Sequence, residues 1–460
     1  MPAPLLQLPQ KPNYQPVELK SDFFSFFRKL EHRYENVFLL ESLGEDTYDS
    51  RYAVIGFEPH SILQGSENIL QISSNSPGRT ESIECENPYL LLRDLIPENI
   101  LTRNYAGGLV GYIGYDAMSW FEPSLRLQPH PDFPRFILGL YIDGLVYDKM
   151  TGEVFYFYYL ENRMQIIEDV DLAEDVPMQA QTIFKGYSKT KEEHAAMVNE
   201  AIEEIKAGNT FQVQIGFTAD YSLKGNPIAV YSALREINPS PYMYYMKFSD
   251  RVITGASPEL IFRLRQGEME SFPLAGTAPR RDNPEHDRET VRTLLNDPKE
   301  IAEHNMLIDL HRNDIGRVAR FGTVKVRRAF DIKKFSHVQH ISSEVVGIIA
   351  HDEDMFTGLV SVYPAGTLSG APKIESMKII EKIEKQPRGP YGGAIGHFGF
   401  NGDCTFAIPI RTIFIHGSDA FTRASGGIVY DSTPEGEYTE IMNKLAAARR
   451  AMEKFAEAKS

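Results

Sequence analysis

The stretch Asp297-Pro-Lys-Glu-Ile-Ala-Glu-His-Asn-Met-Leu-Ile-Asp-Leu-His-Arg-Asn-Asp314 predicts a long helix with an acidic first turn. Asp297 has the short polar side chain of an N-cap, Pro298 suits the first helical position, and Glu300 stands where a capping box has its acid. Because Glu300 and Glu303 are three residues apart, both carboxylates lie on one face of the helix.

A second helix with the same pattern is predicted near the C-terminus, where Thr433-Pro434 begins it. Glu437 and Glu440 again share one face. An apolar stripe at helical spacing follows, and it consists of Ile441, Leu445, Ala448, Met452 and Phe455. The helix therefore has one side for a core and an acidic N-terminal turn.

If the two acidic faces meet, four carboxylates converge, and such a cluster needs a cation. Mg²⁺ suits it, because this ion prefers oxygen ligands and binds few protein groups alongside water and an anionic substrate. A simpler interpretation stays open. Glu300 can complete a capping box, and Glu440 can form an ordinary i,i+4 ion pair with Lys444.

Around these helices the chain divides into three parts. Residues 1–20 are predicted to be an extended arm, residues 21–185 an N-terminal region, and residues 186–460 a catalytic region. Strands are predicted at residues 37–40, 51–55 and 136–142, and a capped helix runs from Thr190 to Gly208. Strands and helices do not alternate regularly, which is typical of the α+β class.

Composition excludes several kinds of partner. The 63 acidic and 48 basic residues leave a net charge of −15, which argues against nucleic-acid binding. No apolar run approaches the ~18 residues of a membrane-spanning helix. With two cysteines, Cys85 and Cys404, and no signal-peptide pattern, the sequence predicts a reducing, cytoplasmic location.

Four further patterns each allow a functional and a structural interpretation. Gly107–Gly114 looks superficially like a phosphate loop, but turn or bulge glycines are favoured. Pro364–Lys373 is either an anion-binding loop or a plain connection. Arg411 suits a bidentate carboxylate clamp or ends a strand. His337 and His340 are candidate acid/base groups, and at a spacing of three at most one reaches a given site.

Together these segments resemble the chorismate-utilising enzymes, in particular component I of anthranilate synthase. The resemblance implies an antiparallel β-sandwich flanked by helices, with the site in a cleft. The implied reaction converts chorismate and ammonia to anthranilate and pyruvate with Mg²⁺. The motifs that carry it, in family order, are Leu39-Leu40-Glu41-Ser42, Arg51-Tyr52, Gly107 to Asp116, Asn238-Pro-Ser-Pro-Tyr-Met243, Ser257-Pro-Glu259, Pro273-Leu-Ala-Gly-Thr277, Glu300 to His304, Asp309 to Asp314, Pro364 to Lys373, Arg388-Gly-Pro-Tyr-Gly-Gly393 and Ile410-Arg-Thr412.

The resemblance also implies roles for single residues. Glu303 and Glu440 would bind Mg²⁺, with Glu300 and Glu437 in support. His340 corresponds to the family's active-site histidine. Glu259 would be the acid for the departing C4 hydroxyl, and Thr367 is a further catalytic position. Tyr391 and Arg411 would bind the enolpyruvyl carboxylate. The other substrate-binding positions are Gly426, Gly427, Lys444, Ala275 and Gln212.

Two of these positions discriminate between reactions. Family members that add water have a lysine at the position of Gln212, and many aminodeoxychorismate synthases have one at the position of Ala275. Direct attack of ammonia at C2 is therefore expected. A related aminating enzyme, which stops at 2-amino-2-deoxyisochorismate or makes aminodeoxychorismate, remains an alternative, as does a non-catalytic paralogue.

The sequence also indicates partners of the chain and positions at which it departs from the family pattern. Neither cysteine lies in a nucleophile-elbow motif, so a glutamine amidotransferase subunit is expected to supply ammonia, and an oligomer is expected. Ser42, Pro241, Tyr242 and Met243 resemble the family's tryptophan feedback pocket. Departures from the family pattern occur at Ala278, at Ser425, and in the segment Val213–Phe217.

Overall fold

Two antiparallel sheets of twelve strands each form the centre of the molecule. The computed structural model describes residues 4–43, 50–74, 78–97, 100–102, 104–280, 283–334 and 338–456. The strands are β1 (Asn13–Val17), β2 (Asn36–Glu41), β3 (Tyr52–Phe57), β4 (Ser61–Ser66), β5 (Ile69–Ser74), β6 (Arg79–Glu84), β7 (Gly108–Ile113), β8 (Phe136–Tyr141), β9 (Asp143–Asp148), β10 (Glu153–Tyr158), β11 (Ala180–Tyr187), β12 (Gln212–Gly225), β13 (Tyr242–Phe248), β14 (Arg251–Ser257), β15 (Leu260–Arg265), β16 (Glu268–Ser271), β17 (Leu274–Pro279), β18 (Lys325–Lys334), β19 (Val338–Ile348), β20 (Gly370–Ala371), β21 (Ala394–Gly399), β22 (Cys404–Ala407), β23 (Thr412–His416) and β24 (Asp419–Ile428).

Helices cover the outer faces of the sheets and some of their ends. They are α1 (Phe23–Arg33), α2 (Leu92–Leu95), α3 (Met164–Leu172), α4 (Lys191–Lys206), α5 (Ile228–Ile237), α6 (Pro284–Asn296), α7 (Pro298–Gly316), α8 (Met355–Val362), α9 (Gly366–Ser369), α10 (Lys373–Glu384) and α11 (Pro434–Glu453), with a 3₁₀ helix at Tyr115–Trp120. No helix of the described ranges has the length and apolar composition needed to cross a membrane.

The two sheets pack face to face, as the predicted sandwich requires. The first has the order β1-β10-β9-β3-β2-β13-β14-β23-β24-β12-β11, with β20 beside β12. The second has the order β17-β19-β16-β15-β22-β21-β7-β8-β4-β5-β6, with β18 beside β19. Phe38 of the first sheet meets Tyr141 of the second with ring centroids 4.6 Å apart. Both sheets contain strands from either side of residue 185, so the two predicted regions share one sandwich.

The capping signals that the sequence contains are mostly confirmed. Thr190 and Glu193 form the predicted capping box of α4, and Asp297 caps α7 by accepting from the Lys299 and Glu300 backbone N–H groups. The capping-box role predicted for Glu300 is wrong. Because α6 ends directly before α7, the Asp297 N–H donates to Leu294 O, 3.4 Å away, and does not need the Glu300 carboxylate.

Glycines explain part of the close packing within the second sheet. Gly107 and Gly108 have positive φ angles of 89° and 144°, and a Cβ atom at Gly108 would lie 2.0 Å from the Phe398 carbonyl oxygen. Gly107–Gly114 therefore leads into β7 and runs along it, as the structural interpretation predicts.

Helix α11 anchors the outer face of the first sheet through the predicted stripe. Ile441, Leu445, Ala448 and Met452 are buried, and Phe455 is partly buried just beyond the helix. These side chains pack in one cluster with residues of α1, α3 and α5. The packing fixes the helix against the sheet and so sets the position of its acidic N-terminal turn.

Replacing Leu445 by alanine should lower the free energy of unfolding by about 2–5 kcal/mol, because it leaves a cavity in this cluster. Leu445 is 1% exposed. The exposed Asn443 on the same helix is the matched control, and Asn443→Ala should change stability by less than about 0.5 kcal/mol. Urea denaturation measures both, and equal effects of the two variants would contradict this packing.

Candidate active site

Glu259 is a buried carboxyl group at the centre of the candidate site. It precedes β15, and its Oε1 atom accepts a hydrogen bond from Thr367 Oγ1 at 2.9 Å. Burial raises the pKa of Glu259 to about 7, against the Thr367 hydrogen bond and the charges of Lys444 and Arg411. A carboxyl group with this pKa is protonated in about half of the molecules at neutral pH and can act as an acid.

His340 lies on β19 close to the same two cations. Its Nδ1 atom is 3.0 Å from the Gly276 carbonyl oxygen, and since a carbonyl only accepts, Nδ1 carries the proton. Burial lowers the pKa of His340 to about 4, and the charges of Arg411 and Lys444 lower it further. The imidazole is therefore neutral at pH 7, with its lone pair on Nε2.

Arg411 provides a cation for an anionic ligand. It lies between β22 and β23 with a φ of 51°, an uncommon value for a residue other than glycine. Burial lowers the pKa of its guanidinium, whereas the nearby Glu259 raises it. Within the ranges that the structure describes, no carboxylate forms an ion pair with Arg411. The guanidinium is thus available to a substrate carboxylate.

Tyr391, Ser425 and Gln214 form a buried hydrogen-bonded chain beside these groups. The Tyr391 hydroxyl is 2.9 Å from Ser425 Oγ, and Ser425 Oγ donates to Gln214 Oε1 at 2.9 Å. Lys444 Nζ donates to the Ser425 carbonyl oxygen at 2.8 Å. The sequence indicated Ser425 and Gln214 only as departures from the family pattern and gave no reason to link them.

The predicted positions Gln212, Gly426, Gly427 and Ala275 lie on the strands around this chain. Gln212 begins β12, and a Cβ atom on Gly427 would lie 2.6 Å from its Nε2 atom. Ala275 is buried on β17, next to the Gly276 that holds His340. The structure therefore brings the predicted catalytic and substrate-binding residues to one region between the sheets and α11.

An ion triad that the sequence analysis missed supports this region. Glu384 accepts from Arg388 Nε and Nη2, both at 2.9 Å, from Arg423 Nη2 at 2.6 Å and from the Gly216 N–H at 2.9 Å. Burial opposes ionisation of Glu384, but the two guanidinium groups hold its pKa below the usual value. The i,i+4 spacing of Glu384 and Arg388 was a usable signal, whereas nothing local pointed to Arg423.

The four predicted metal glutamates lie at the N-terminal turns of α7 and α11. Burial and the neighbouring Glu303 raise the pKa of Glu300, and burial and Glu440 raise that of Glu437. The Lys299 charge acts on Glu437, which places the two helix N-termini near each other.

The surroundings of the four glutamates support a bound cation only in part. Glu437 Oε2 is buried and has no hydrogen-bond partner in the part of the chain that the structure describes. Glu440, in contrast, forms the 2.7 Å ion pair with Lys444 that the simpler interpretation predicts. Among the described residues, no three His, Cys, Asp or Glu side chains form a metal cluster. Hard carboxylate oxygens near an anion site nevertheless fit Mg²⁺, which needs few protein ligands. The metal assignment stays a prediction.

The remaining candidates have different outcomes. Lys373 donates to Asp314 at 2.9 Å and to Val362 O, so it is held in a structural ion pair. Ser42 is buried beside β13, where Met243 pairs with Glu41, and its hydroxyl has no hydrogen-bond partner within the described ranges. The tryptophan-pocket segments therefore meet, and their ligand stays a prediction. His337 lies outside the described residues.

Comparison with known proteins defines the family of the chain and agrees with its fold. The family model of the chorismate binding enzyme matches residues 35–450, which defines the class of protein. Anthranilate synthase component 1 of Leptospira biflexa is 58% identical over 98% of both chains, and that of Methanothermobacter thermautotrophicus is 42% identical over 95% of this chain and 94% of the relative.

A solved structure gives the same result. Anthranilate synthase component I from Streptococcus pneumoniae TIGR4 superposes with a TM-score of 0.78 at 29% identity, covering 88% of this chain and 93% of that one. The chain therefore belongs to the chorismate binding enzyme family and, within it, to the anthranilate synthase component 1 proteins.

The raised pKa of Glu259 predicts a pH-dependent stability. Between the ordinary pKa of 4.5 and the folded value of about 7 the folded state binds more protons, so Glu259 destabilises the fold increasingly as pH rises through this window. Glu259→Gln lacks this penalty. Its free energy of unfolding relative to wild type should rise from pH 4.5 to 7, by the order of 3 kcal/mol, and then stay level.

Urea denaturation at closely spaced pH values measures the difference. The exposed Glu168 on α3 gives the matched control, because Glu168→Gln removes the same charge at the surface. A stability difference between Glu259→Gln and wild type that does not change from pH 4.5 to 7 would contradict the buried, proton-holding carboxyl.

Proposed function

We propose that this chain converts chorismate and ammonia to anthranilate and pyruvate, as component I of an anthranilate synthase. The observation that carries the proposal is the buried Glu259 acid, hydrogen-bonded to Thr367 and close to the two cations Arg411 and Lys444. A dianionic substrate needs such cations, and loss of a hydroxyl group needs such an acid.

Substrate binding depends on charges of both the chain and a metal. Arg411 and Tyr391 hold the enolpyruvyl carboxylate, with Lys444 adding positive charge. Glu303 and Glu440, supported by Glu300 and Glu437, would hold Mg²⁺, which when bound supplies positive charge to a substrate carboxylate. Burial and then the neighbouring carboxylates raise the pKa of Glu437 and Glu300, and a cation bound beside them would offset both effects, which supports this role.

In the first step ammonia attacks C2, the ring double bonds shift, and the C4–O bond breaks so that the hydroxyl departs as water. The ammonium group formed at C2 then loses one proton, which balances the proton given to the departing oxygen. Thr367 donates to Glu259 Oε1, so the acid proton is held on Oε2, from which it passes to the departing oxygen. With glutamine at position 212 and alanine at position 275, no lysine at these two positions activates water or forms an adduct. The product is 2-amino-2-deoxyisochorismate.

In the second step the C2–H bond and the C3–O bond break, and the ring becomes aromatic. Neutral His340, protonated on Nδ1, takes up the C2 proton at Nε2. The proton lost from C2 balances the one gained by the methylene carbon of the departing enolpyruvyl group. Anthranilate and pyruvate leave the site.

Partners follow from the same proposal. A glutamine amidotransferase subunit supplies ammonia, tryptophan binds at Ser42, Pro241, Tyr242 and Met243 as a feedback inhibitor, and the complex is oligomeric. Ser42 fits this role because its buried hydroxyl has no partner among the described residues. Cys85 and Cys404 are free thiols, which suits a cytoplasmic enzyme.

The direct test incubates the purified chain with chorismate, Mg²⁺ and ammonium. We expect fluorescent anthranilate and an equal amount of pyruvate, measured by fluorescence and a coupled dehydrogenase assay. Glu259→Gln should abolish both products, with Glu168→Gln as the matched control. An amino product without pyruvate, identified by mass spectrometry, would instead indicate an enzyme that stops before elimination, and no product would refute the proposal.

A further inference from the structure

The hydrogen bonds that join Tyr391, Ser425 and Gln214 run in one direction, because a serine hydroxyl has only one proton. Ser425 Oγ donates that proton to Gln214 Oε1, so the Tyr391 hydroxyl must donate to Ser425. In this arrangement the Tyr391 oxygen offers only lone pairs to its surroundings. A carboxylate is not bound by lone pairs, so Tyr391 as oriented here is not a donor for an anionic substrate.

Reversing the direction of these hydrogen bonds would make the Tyr391 hydroxyl a donor for an anionic substrate. A glutamine side chain has an acceptor at Oε1 and a donor at Nε2, and a half-turn of its amide exchanges the two. Gln214 Nε2 would then donate to Ser425 Oγ, Ser425 would donate to the Tyr391 oxygen, and the Tyr391 proton would be free for the substrate. The Tyr391 and Ser425 oxygen atoms keep their positions, and only the Oε1 and Nε2 atoms of Gln214 exchange places.

The space for this rotation is provided by Gly427, which faces Gln214 across the strand pair. A Cβ atom at Gly427 would lie 2.9 Å from Gln214 Nε2 and 2.6 Å from Gln212 Nε2, closer than real contacts allow. In the described part of the chain Gln214 Nε2 donates no hydrogen bond, so leaving its position breaks no existing interaction. Tyr391, Ser425 and Gln214, which we call the relay, are all buried, and their burial keeps water from replacing any of the three.

We propose that Gln214 is a positioning residue whose amide, acting through Ser425, reverses the hydrogen bonds and turns the Tyr391 hydroxyl into a donor for the substrate carboxylate. This inference rests on the proposed function, which places a carboxylate of chorismate at Tyr391. The nearby guanidinium groups of Arg388 and Arg423, 5.9 and 5.8 Å from the Tyr391 ring centre, favour an anion there.

Two substitutions of Gln214 show whether its amide must reverse the hydrogen bonds or only accepts the one from Ser425. At pH 9 the introduced carboxylate of Gln214→Glu accepts a hydrogen bond but cannot donate one, and Gln214→Met does neither. If the chain must reverse, both variants should raise KM for chorismate roughly tenfold or more, with kcat and KM for ammonium within about twofold of wild type. If Gln214 only holds Ser425 in place, Gln214→Glu should resemble wild type while Gln214→Met is impaired, and that result overturns the proposal.

The exposed Gln165 on α3 provides the matched control, because Gln165→Glu adds the same charge far from the site. Ser425→Ala gives a second, independent test. Without the serine hydroxyl the relay is cut, so adding Gln214→Met should change KM for chorismate no further. An unchanged effect of Gln214→Met in the Ser425→Ala background would refute the relay, and thermal unfolding shows whether each variant is folded.

Measuring the dissociation constant of chorismate without ammonium distinguishes a failure of the relay from a failure of the proposed function. If wild type binds chorismate and releases no anthranilate, the proposed function fails, while the dissociation constants of the same variants still judge the relay. If wild type makes anthranilate and Gln214→Glu binds chorismate like wild type at pH 9, the relay fails and the proposed function stands.

Discussion

The ion triad of Glu384, Arg388 and Arg423 is the interaction on which the candidate site depends. It joins the end of α10 to β24, and its hydrogen bonds reach the Gly216 N–H on β12 and the Leu368 carbonyl in α9. Buried ions are costly unless they are paired and hydrogen-bonded, and removal of one partner leaves an uncompensated charge. The elements that carry Tyr391, Ser425, Gln214 and Thr367 are therefore held to one another.

The triad also contributes charge. Two guanidinium groups against one carboxylate leave a net positive charge beneath the Tyr391 ring, and Arg411 and Lys444 extend the positive region toward Glu259. The chain as a whole has a net charge of −15. Because the cations are concentrated at the site, an anionic substrate can be bound by a protein whose overall charge repels it. Net charge alone argued against polyanionic partners but did not indicate this.

Local signals in the sequence predicted local structure well. The N-caps Thr190, Asp297 and Thr433 were found because a short polar side chain and a following acid or proline act within one turn. The capping-box role of Glu300 was wrong because it depended on α6, which ends directly before α7. The sandwich itself came from the family resemblance, since patterning indicated only an α+β class.

The contacts that assemble the site could not be predicted in the same way. Glu384 and Arg423 meet only because strand register and helix packing bring distant segments together, and the same holds for Gln214 with Ser425 and Lys373 with Asp314. No periodicity in the sequence encodes such pairs. Glu259 was predicted as an acid from the resemblance, and its burial supplies the physical reason for the pKa of about 7.

In the proposed function, the acidic turns of α7 and α11 and the cations around Glu259 bind one dianionic substrate together with Mg²⁺. The most direct test is calorimetric titration of chorismate with and without saturating Mg²⁺. Mg²⁺ should tighten chorismate binding roughly 5- to 150-fold, and chorismate should tighten Mg²⁺ binding by the same factor. Glu303→Gln and Glu440→Gln should lose this coupling, and Glu168→Gln should keep it. Equal chorismate affinity with and without Mg²⁺ in wild type would contradict joint binding of the substrate and the metal.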